Sequence, residues 1–479
     1  MEFEPVIGLE IHAEMQTLSK MFCSCEVVDN TVAPPNSAVC PVCAGLPGSL
    51  PVVNQMAVEY AIRVALALEC EVQRTSIFAR KNYFYPDLPK GYQISQYEQP
   101  LAVNGRLSIR TSEGEQTIRV RRVHLEEDTG KLTHVEGASL VDLNRAGVSL
   151  LEIVSEPDIH SAEAAKAYGE SLREILRYLG VNSGDMEKGI IRFEANVSVR
   201  EKGSLELGTR TEVKNLNSFR ALERAIEYEI GRQGKIIEAG GTIDQETLGW
   251  NETRGETYSQ RSKEDAHDYR YFPEPDLPPL VVEAAWVERV RDALPELPNA
   301  KSRRLVREYG LTEYDAARLV EEREIADYFE SAVRGLPKTV QPKAVANWML
   351  GDLYSLMNQA GSSFARLKIR PEALGELAKI TAEGQINQTS AKEVLVEMFA
   401  SGRGAAEIVE ARGLKQVSDQ SFISDLVGQT LAENPTEVAS YRSGKLGLLN
   451  FLFGQVMKKA AGRANPAVVR AELEKQLAG

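Results

Sequence analysis

Three segments in the N-terminal part of the chain alternate apolar and polar residues, which is typical of half-buried strands. They are residues 4–14, 190–200 and 209–214. Stretches with helical spacing of apolar residues lie between them, such as residues 161–179, which Gly180 ends. The pattern predicts an α+β fold whose sheet has one face rich in charged side chains.

The C-terminal part of the chain is predicted to be helical. Residues 269–279 contain four prolines within seven residues, and we expect no regular structure there because proline removes a backbone donor and fixes φ. Beyond them, apolar residues recur with helical spacing at 344–357, 390–400, 446–461 and 466–477. We predict three domains, at residues 1–293, 294–403 and 404–479.

The composition is that of a globular protein. Hydrophobic residues make up 43% of the 479 residues and charged residues 26%, and a chain of this length buries large cores. No apolar stretch approaches the roughly 18 residues that a membrane span needs. The N-terminal residues resemble neither a signal peptide nor a transit peptide. These features predict a cytoplasmic protein of several domains.

The charge is unevenly distributed. The formal net charge of −13, taken alone, argues against a general nucleic-acid binder. Residues 441–479 nevertheless contain seven basic and two acidic side chains. This basic tail fits a solvated helix surface and a nucleic-acid contact surface about equally, and both interpretations stay open.

Four of the five cysteines fall close together, as Cys23, Cys25, Cys40 and Cys43. Their C-x-C and C-x2-C pairs resemble the knuckles of a zinc ribbon, in which four thiolates bind one Zn²⁺. The alternative is chance clustering of buried cysteines, whereas a disulfide does not suit a cytoplasmic chain. We predict a structural Zn²⁺ site that takes no part in the chemistry.

Carboxylates occur in three places where their charge needs compensation. Glu152 interrupts the apolar segment 148–154, where an ionised carboxylate is costly unless it is paired or bound to a metal. Glu10 and His12 share one face of the first strand. A third segment contains His124, Glu126, Glu127 and Asp128. Each place alone fits an exposed salt bridge, but the combination predicts one Mg²⁺–phosphate site.

The common phosphate-binding loops are missing from the sequence. None of its three Gly-Lys pairs is followed by Ser or Thr, so there is no Walker A loop. A phosphoryl-transfer site in this chain would therefore be built on the sheet.

Basic and aromatic residues are concentrated in residues 80–97, which contain Arg80, Lys81, Lys90 and five aromatic side chains. Basic groups bind phosphate and aromatic rings stack on bases, but adjacent aromatic residues also form ordinary core. The polar face of the strands at 190–200 and 209–214 offers Arg192, Glu194, Asn196, Arg210, Glu212 and Lys214. This face fits substrate binding or plain solvation.

Together, these segments resemble the B subunit of the aspartyl/glutamyl-tRNA(Asn/Gln) amidotransferase. The resemblance rests on seven motifs in order, which read IGLEIH, CPVCAGLPGSLPVVN, RKNYFYPDLPKGYQISQY, HLEEDTGK, DLNRAGVSLLEIVSEPD, KNLNSF and DYRYFPEPDLPP. It continues more loosely through the helical half. The chain has no room for the large inserted domain of the archaeal relative, so it resembles the bacterial and organellar type, and the lack of a transit-peptide pattern favours the bacterial one.

The resemblance implies ATP-dependent transamidation. Members of this family use ATP and Mg²⁺ to phosphorylate the side-chain carboxylate of Glu or Asp misacylated on tRNA(Gln) or tRNA(Asn), and ammonia then displaces the phosphate. The A subunit, an amidase-type glutaminase, supplies the ammonia through a channel, and the small C subunit holds the two together. The resemblance also implies a catalytic domain like that of glutamine synthetase and a small C-terminal helical domain that binds tRNA.

By position, the resemblance assigns roles to residues of this sequence. The catalytic Mg²⁺ ligands would be Glu10, His12, Glu126 and Glu152, and the ammonia channel would be lined by Lys81, Lys90 and Glu127. The substrate and nucleotide contacts would be Asn82, Tyr83, Arg192, Glu194, Asn196, Lys214 and Asn215, although the family often has Asp at the place of Glu194. Basic residues of the tail are predicted to contact tRNA phosphates, namely Lys458, Lys459 and Arg463.

Two other functions fit part of the sequence. A zinc-ribbon tRNA-binding scaffold without catalysis explains the cysteines and the basic tail but not Glu152 in an apolar strand. A stand-alone ATP-dependent amide ligase acting on a small substrate leaves the basic tail unexplained. Mg²⁺-dependent ATP turnover that requires misacylated tRNA separates the scaffold from the transamidase.

Overall fold

The computed structural model describes residues 3–261, 269–415, 420–460 and 464–478. The chain divides into two compact units between Leu297 and Pro298. The first unit combines a large β-sheet with helices, and the described part of the second is helical. The predicted α+β fold class is confirmed at this level.

The first unit contains strands and helices in alternation. Its described strands are β1 (Phe3–Glu14), β2 (Glu71–Val72), β3 (Thr75–Ser76), β4 (Phe78–Asn82), β5 (Tyr92–Gln96), β6 (Ala102–Thr111), β7 (Gly114–Glu127), β8 (Lys131–Val135), β9 (Ala138–Asp142), β10 (Ser149–Ser155), β11 (Ile191–Glu201), β12 (Thr211–Leu216), β13 (Thr247–Asn251), β14 (Glu256–Arg261), β15 (Phe272–Pro273) and β16 (Leu280–Val281). Its described helices are α1 (Gln55–Ala67), α2 (Ala162–Tyr178), α3 (Phe219–Glu238) and α4 (Ala284–Asp292).

One large sheet organises this unit. Nine of the described strands form it in the order β14-β13-β12-β11-β1-β10-β7-β6-β2. Neighbouring strands pair antiparallel, apart from the parallel pair β12–β13. β1 therefore lies in the middle of the sheet, between β10 and β11.

Helices pack against one face of this sheet. Ile7, Leu9 and Ile11 of β1 are fully buried there, as their alternation predicts. They share a hydrophobic core with residues of α1, α2 and α3, such as Ile62 and Leu172. Because successive residues of a strand point to opposite faces, burial of this apolar set directs the charged residues to the other face.

The predicted elements of this unit are present. Residues 4–14, 190–200 and 209–214 correspond to β1, β11 and β12. The helix predicted at 161–179 is α2, where Ser161 Oγ caps the first turn by accepting a hydrogen bond from the Ala164 amide at 3.1 Å. Gly180 follows the helix with a φ of +66°, which glycine adopts without strain.

The prediction that residues 269–279 have no regular structure was wrong in one respect. Phe272–Pro273 forms the short strand β15, which pairs antiparallel with β4 at Arg80 and Ala79. This pairing is possible because β15 is an edge strand of a separate sheet in the order β15-β4-β5, and an edge strand tolerates a missing proline N–H.

The second unit is built from short helices. Those described are α5 (Pro298–Tyr309), α6 (Glu313–Leu319), α7 (Arg323–Val333), α8 (Pro342–Trp348), α9 (Tyr354–Ala360), α10 (Pro371–Ala382), α11 (Gln388–Ser401), α12 (Ala405–Ala411), α13 (Gln420–Glu433), α14 (Pro435–Arg442), α15 (Leu448–Lys459) and α16 (Pro466–Ala478). The helix predicted at 344–357 is interrupted by a π-helical turn, Met349–Leu353, between α8 and α9.

The other predicted helices of this unit are present in the described residues. Segments 390–400, 446–461 and 466–477 correspond to α11, α15 and α16. Two separate hydrophobic clusters stabilise the unit, one containing Phe329 and the other containing Leu452. None of the helices that the structure describes is both long and apolar enough to cross a membrane.

Candidate active site

The charged face of the large sheet gathers side chains from neighbouring strands. The pairing register places Glu152 of β10 between His124 of β7 and His12 of β1. Two residues along β1, Glu10 stands opposite Glu194 of β11. Because residues two apart on a strand share a face, these side chains all point away from the apolar core.

A cleft of about 780 Å³ lies over this face. Residues in or beside β4, β5 and β15 line it as well, including Lys81, Tyr83, Tyr97, Tyr269 and Tyr271. The carboxylate residues that line it are Glu10, Glu126, Asp128, Glu152, Glu194, Glu212 and Glu246. Carboxylates at this density repel each other unless cations neutralise them.

The first acidic group consists of His12, Glu126 and Glu152, whose ligand atoms lie within 4.8 Å of one another. Glu152 Oε2 is 3.4 Å from His12 Nε2 and 3.2 Å from His124 Nε2. Glu126 Oε1 is 3.3 Å from Lys81 Nζ. Glu126 and Glu152 are both buried, so their charges interact strongly with these neighbours.

Burial and neighbouring charges shift the pKa values of this group in opposite directions. Burial alone would lower the pKa of His12, but the hydrogen bond to Glu152 and its negative charge raise that pKa to about 9. Burial would raise the pKa of Glu152, yet His124 and His12 hold it well below its usual value. Burial dominates at Glu126, whose pKa is raised despite the nearby Lys81.

Three buried polar atoms in this group and in the neighbouring His124 lack a hydrogen-bond partner among the described residues. They are His12 Nδ1, His124 Nδ1 and Glu126 Oε2. Buried polar atoms in proteins almost always have partners, so these atoms point to a bound ligand. The carboxylates fit Mg²⁺, which prefers oxygen, and the imidazole is a weaker ligand for that ion.

The second acidic group consists of Glu10, Glu194 and Glu212, again with ligand atoms within 4.8 Å. Lys214 Nζ lies 2.7 Å from Glu194 Oε2 and 3.3 Å from Glu212 Oε1. Burial, together with the charges of Glu152 and Glu194, raises the pKa of Glu10. The four predicted Mg²⁺ ligands therefore line one cleft, but Glu10 belongs to a different group from the other three.

The residues predicted for the ammonia channel lie in two places. Lys81 lines the cleft beside Glu126. Lys90 and Glu127 form an ion pair that is not part of the cleft lining, and Glu127 Oε1 also accepts a hydrogen bond from the Ile94 amide at 2.9 Å. Glu126 and Glu127 diverge because adjacent strand residues point to opposite sides.

The predicted substrate and nucleotide contacts divide in the same way. Those that line the cleft are Tyr83, Arg192, Glu194, Asn196 and Lys214. Asn82 and Asn215 do not line it. Asn82 Nδ2 donates to the Arg270 carbonyl at 2.9 Å, which ties β4 to the chain before β15, and Asn215 is exposed with a φ of +62°.

Several cleft residues were not assigned to the site from the sequence. Arg122 precedes Glu126 by four residues on β7, so strand alternation was a sufficient signal for it. His124 had been grouped with the third acidic segment but was given no role of its own. Glu212 was recognised on a polar strand face but not as a partner of Glu10. Tyr271 reaches the cleft through the pairing of β15 with β4, which no local pattern reveals.

The four predicted zinc ligands come together. Their Sγ atoms lie within 4.8 Å of one another, and Cys43 Sγ is 3.9 Å from that of Cys25 and 3.8 Å from that of Cys40. Sulfur atoms bound to one Zn²⁺ at about 2.3 Å lie about 3.8 Å apart in a tetrahedron, whereas a disulfide needs about 2.05 Å. The free thiols thus have the spacing of a tetrahedral metal site.

The basic residues predicted to contact tRNA lie in the second unit. Lys458 and Lys459 are exposed in the last turn of α15. Lys459 Nζ is 2.6 Å from Glu433 Oε1 of α13. Arg463 lies outside the described residues.

Both parts of the chain match known protein families. The family described as GatB/GatE catalytic domain matches residues 5–288, which include every residue that lines the cleft, and the one described as GatB domain matches residues 327–477. Full-length relatives match the whole chain as well. The B subunit of the aspartyl/glutamyl-tRNA(Asn/Gln) amidotransferase from Moorella thermoacetica is 53% identical over 481 residues, 100% of each chain.

This chain belongs to the family of amidotransferase B subunits. Proteins of the same name from Persephonella marina and Myxococcus xanthus are 50% and 52% identical, over 100% and 99% of each chain respectively. The resemblance inferred from the seven motifs is confirmed. Family membership places the cleft within the region described as the GatB/GatE catalytic domain.

Proposed function

We propose that this chain catalyses the ATP-dependent step of tRNA transamidation. The cleft phosphorylates the side-chain carboxylate of Glu or Asp misacylated on tRNA(Gln) or tRNA(Asn), and ammonia then displaces phosphate to leave the amide. The names of the full-length relatives support this activity. A zinc-ribbon scaffold without catalysis leaves the buried acidic groups of the cleft unexplained.

The observation that carries the proposal is the group of His12, Glu126 and Glu152 with its unsatisfied buried atoms. Glu126 and Glu152 would hold Mg²⁺, with His12 as a third ligand or as a hydrogen-bond partner of bound water. When bound there, the ion would supply positive charge that offsets the negative charge on the phosphate oxygens of ATP. The paired strands fix the spacing of these ligands.

Charged residues beside this group would line the path along which ammonia arrives. Lys81 lies next to Glu126, and the Lys90–Glu127 pair lies on the other side of β7. Each cation is neutralised by a carboxylate, so the pairs offer hydrogen-bond donors and acceptors to a small polar molecule without adding net charge. We assign these three residues to the ammonia path and the remaining polar residues of the cleft to nucleotide and substrate.

The rest of the chain would support this centre. Zn²⁺ held by Cys23, Cys25, Cys40 and Cys43 would stabilise the fold without taking part in the reaction. The A subunit, an amidase-type glutaminase, would supply ammonia, and the small C subunit would complete the assembly. Residues 1–293 would form a catalytic domain like that of glutamine synthetase, residues 294–403 a helical linker, and residues 404–479 the tRNA-binding domain.

The test is Glu152→Gln in the enzyme assembled with its partner subunits. The substitution keeps the shape of the side chain and removes one charge from the acidic group. We expect ADP formation that depends on misacylated tRNA to fall about 10²-fold or more, which is the scale for losing a preorganised electrostatic group. Glutamine hydrolysis by the partner and tRNA binding should change little.

Glu59→Gln is the matched control. Glu59 lies on α1 in a partly exposed ion pair with Arg63, at 3.2 Å, outside the cleft lining. This variant should retain wild-type ADP formation. Wild-type rates in a folded Glu152→Gln enzyme would contradict the proposal, and so would ADP formation in the wild-type enzyme that is independent of Mg²⁺ or of misacylated tRNA.

A further inference from the structure

Most of the half-buried cations that line the cleft are already paired with carboxylates. Lys81 Nζ is 3.3 Å from Glu126, and Lys214 Nζ is 2.7 Å from Glu194. Arg192 is paired with Asp128 at 2.9 Å. In these pairs a carboxylate of the protein already neutralises the positive charge.

Arg122 differs from these cations. Among the described residues it has no carboxylate within ion-pair distance, and its buried Nε has no hydrogen-bond partner. Its guanidinium lies 5.7 Å from the centre of the Tyr97 ring instead. A guanidinium stays charged at any physiological pH, so none of the carboxylates that the structure describes neutralises this positive group.

Tyr97, the ring beside Arg122, is itself held by a second tyrosine. The Tyr97 ring stacks on the Tyr271 ring with centroids 4.2 Å apart and planes 5° from parallel. Arg122 therefore lies against a ring that is itself supported by stacking, and such a contact positions a planar guanidinium without using its hydrogen-bond donors. A guanidinium held in this way is suited to bidentate contacts with phosphate oxygens.

The register sets the distance between Arg122 and the acidic groups. Arg122 of β7 stands opposite Val154 of β10, which stands opposite Glu10 of β1. Two strand spacings of about 4.8 Å separate Arg122 from Glu10 at the backbone. His124 and Glu126 follow Arg122 on the same face of β7. Arg122 therefore lies near enough to the acidic groups to contact a polyphosphate that they would hold through a cation.

We propose that Arg122 is a catalytic residue that binds the phosphoryl group while it is transferred. The proposal rests on the proposed function. In that step a carboxylate oxygen of the aminoacyl group forms a bond to Pγ of ATP, and the bond between Pγ and the β–γ bridging oxygen breaks. The electron pair leaves with ADP. Arg122 donates hydrogen bonds to the equatorial oxygens, where negative charge accumulates.

The experiment compares Arg122→Gln and Arg122→Lys with wild-type enzyme in the assembled complex. We expect Arg122→Gln to lower kcat for tRNA-dependent ADP formation by about 10²- to 10³-fold and to change KM for ATP less than about threefold, because the contact forms mainly during transfer. Arg122→Lys should recover only part of the rate, because lysine lacks the planar fork.

Binding of a transition-state mimic separates this role from a structural one. The probes are MgADP alone and MgADP with aluminium fluoride in the presence of misacylated tRNA. Arg122→Gln should bind MgADP within about threefold of wild type but lose at least about tenfold in affinity for the fluoride complex. Equal losses for both probes would overturn the proposal, since they would indicate ground-state binding or damage to the fold.

Arg121→Gln is the matched control on the same strand. Arg121 does not line the cleft and is paired with Glu156 at 2.8 Å. It should retain wild-type kcat and wild-type binding of both probes. If folded Arg122→Gln enzyme has a kcat within threefold of an active wild type, the role of Arg122 is overturned and the proposed function stands. A wild-type enzyme without tRNA-dependent ADP formation would overturn the proposed function itself.

Tyr97 provides a second test that does not alter the guanidinium. Tyr97→Phe keeps the ring beside Arg122 and should therefore retain more of the rate than a variant without the ring. Tyr97→Leu removes the surface on which Arg122 stacks and should lower kcat by about three- to thirtyfold, the scale of one cation–π contact. Equal rates for the two variants would contradict a positioning role for the ring.

Discussion

Lys20 is fully buried beside the four cysteines. Its Nζ donates to the carbonyl oxygens of Ala38 at 2.8 Å and Leu143 at 3.2 Å, and it lies 3.6 Å from Cys43 Sγ. A hydrogen bond from Cys23 lowers the pKa of the Cys43 thiol to about 4, and the charge of Lys20 contributes in the same direction. A buried ammonium next to four thiolates would offset the excess negative charge of a Zn²⁺–Cys₄ site.

Lys20→Met is therefore expected to weaken zinc retention. Methionine has nearly the same length and removes the charge, so the thiolates lose a neighbouring cation. We expect affinity for Zn²⁺ to fall by about 10- to 100-fold, the range for losing an outer partner of a metal ligand, as measured by competition with a chelator. Lys131→Met, at an exposed position of β8, should retain zinc like wild type. Unchanged retention in folded Lys20→Met protein would refute the role.

At the scale of single elements, one buried carboxylate fastens α3 to the sheet. Glu229 Oε2 accepts a hydrogen bond from Thr211 Oγ1 of β12 at 3.0 Å, and Oε1 accepts one from Thr257 Oγ1 of β14 at 2.6 Å. Arg232 is paired with the same carboxylate at 2.8 Å. Burial would raise the pKa of Glu229, but Arg232 and the hydroxyl donors lower it below its usual value.

Glu229→Gln is expected to destabilise the first unit by about 3 kcal/mol near neutral pH, because it leaves a buried network without its charge. A depressed pKa stabilises the fold above the unfolded-state value, and this contribution is lost as the pH falls through the folded-state value. The difference between wild type and variant should therefore shrink as the pH falls below the usual pKa of 4.5. Urea unfolding at several pH values measures it.

The control for this prediction lies on the same helix. Glu227 of α3 is exposed, and Glu227→Gln should change the free energy of unfolding by less than about 0.5 kcal/mol. A difference between wild type and Glu229→Gln that stays constant down to pH 3 would show that the charge of Glu229 does not stabilise the fold.

On the scale of the whole molecule, the proposed function requires an acidic chain to bind a polyanion. The net charge of −13 repels nucleic acid at a distance, so binding requires a local basic surface. Lys458 and Lys459 offer such a surface at the end of α15. They differ in one respect, because Lys459 is already paired with Glu433.

We expect Lys458→Gln to weaken tRNA binding more than Lys459→Gln does. Each phosphate contact that is lost should reduce the slope of log affinity against log salt by about one. Binding measured between 50 and 200 mM salt tests this prediction, because counterion release dominates the affinity in that range. Lys392→Gln on α11, where Lys392 is paired with Asp352, is the control. If all three variants bind tRNA with equal affinity and equal salt dependence, the prediction that α15 contacts tRNA is wrong.

The amino-acid sequence by itself determined the elements and the types of chemistry. Alternation in residues 4–14 predicted β1, since one side of a strand is buried and its residues repeat every two positions. Cys23, Cys25, Cys40 and Cys43 could be grouped because they lie close together along the chain. Glu152 stood out because a charge in an apolar strand needs a partner.

Only the tertiary structure decided which side chains share a site. Glu10 lies two residues from His12, yet it groups with Glu194 and Glu212, because pairing of β1 with β11 brings these distant segments into register. Tyr271 stacks on Tyr97 and lines the cleft because the next two residues form the edge strand β15. The prolines of segment 269–279 had predicted no strand there. Local sequence sets which face a side chain occupies, but pairing between distant strands sets its neighbours, and that register depends on burial of the whole apolar face.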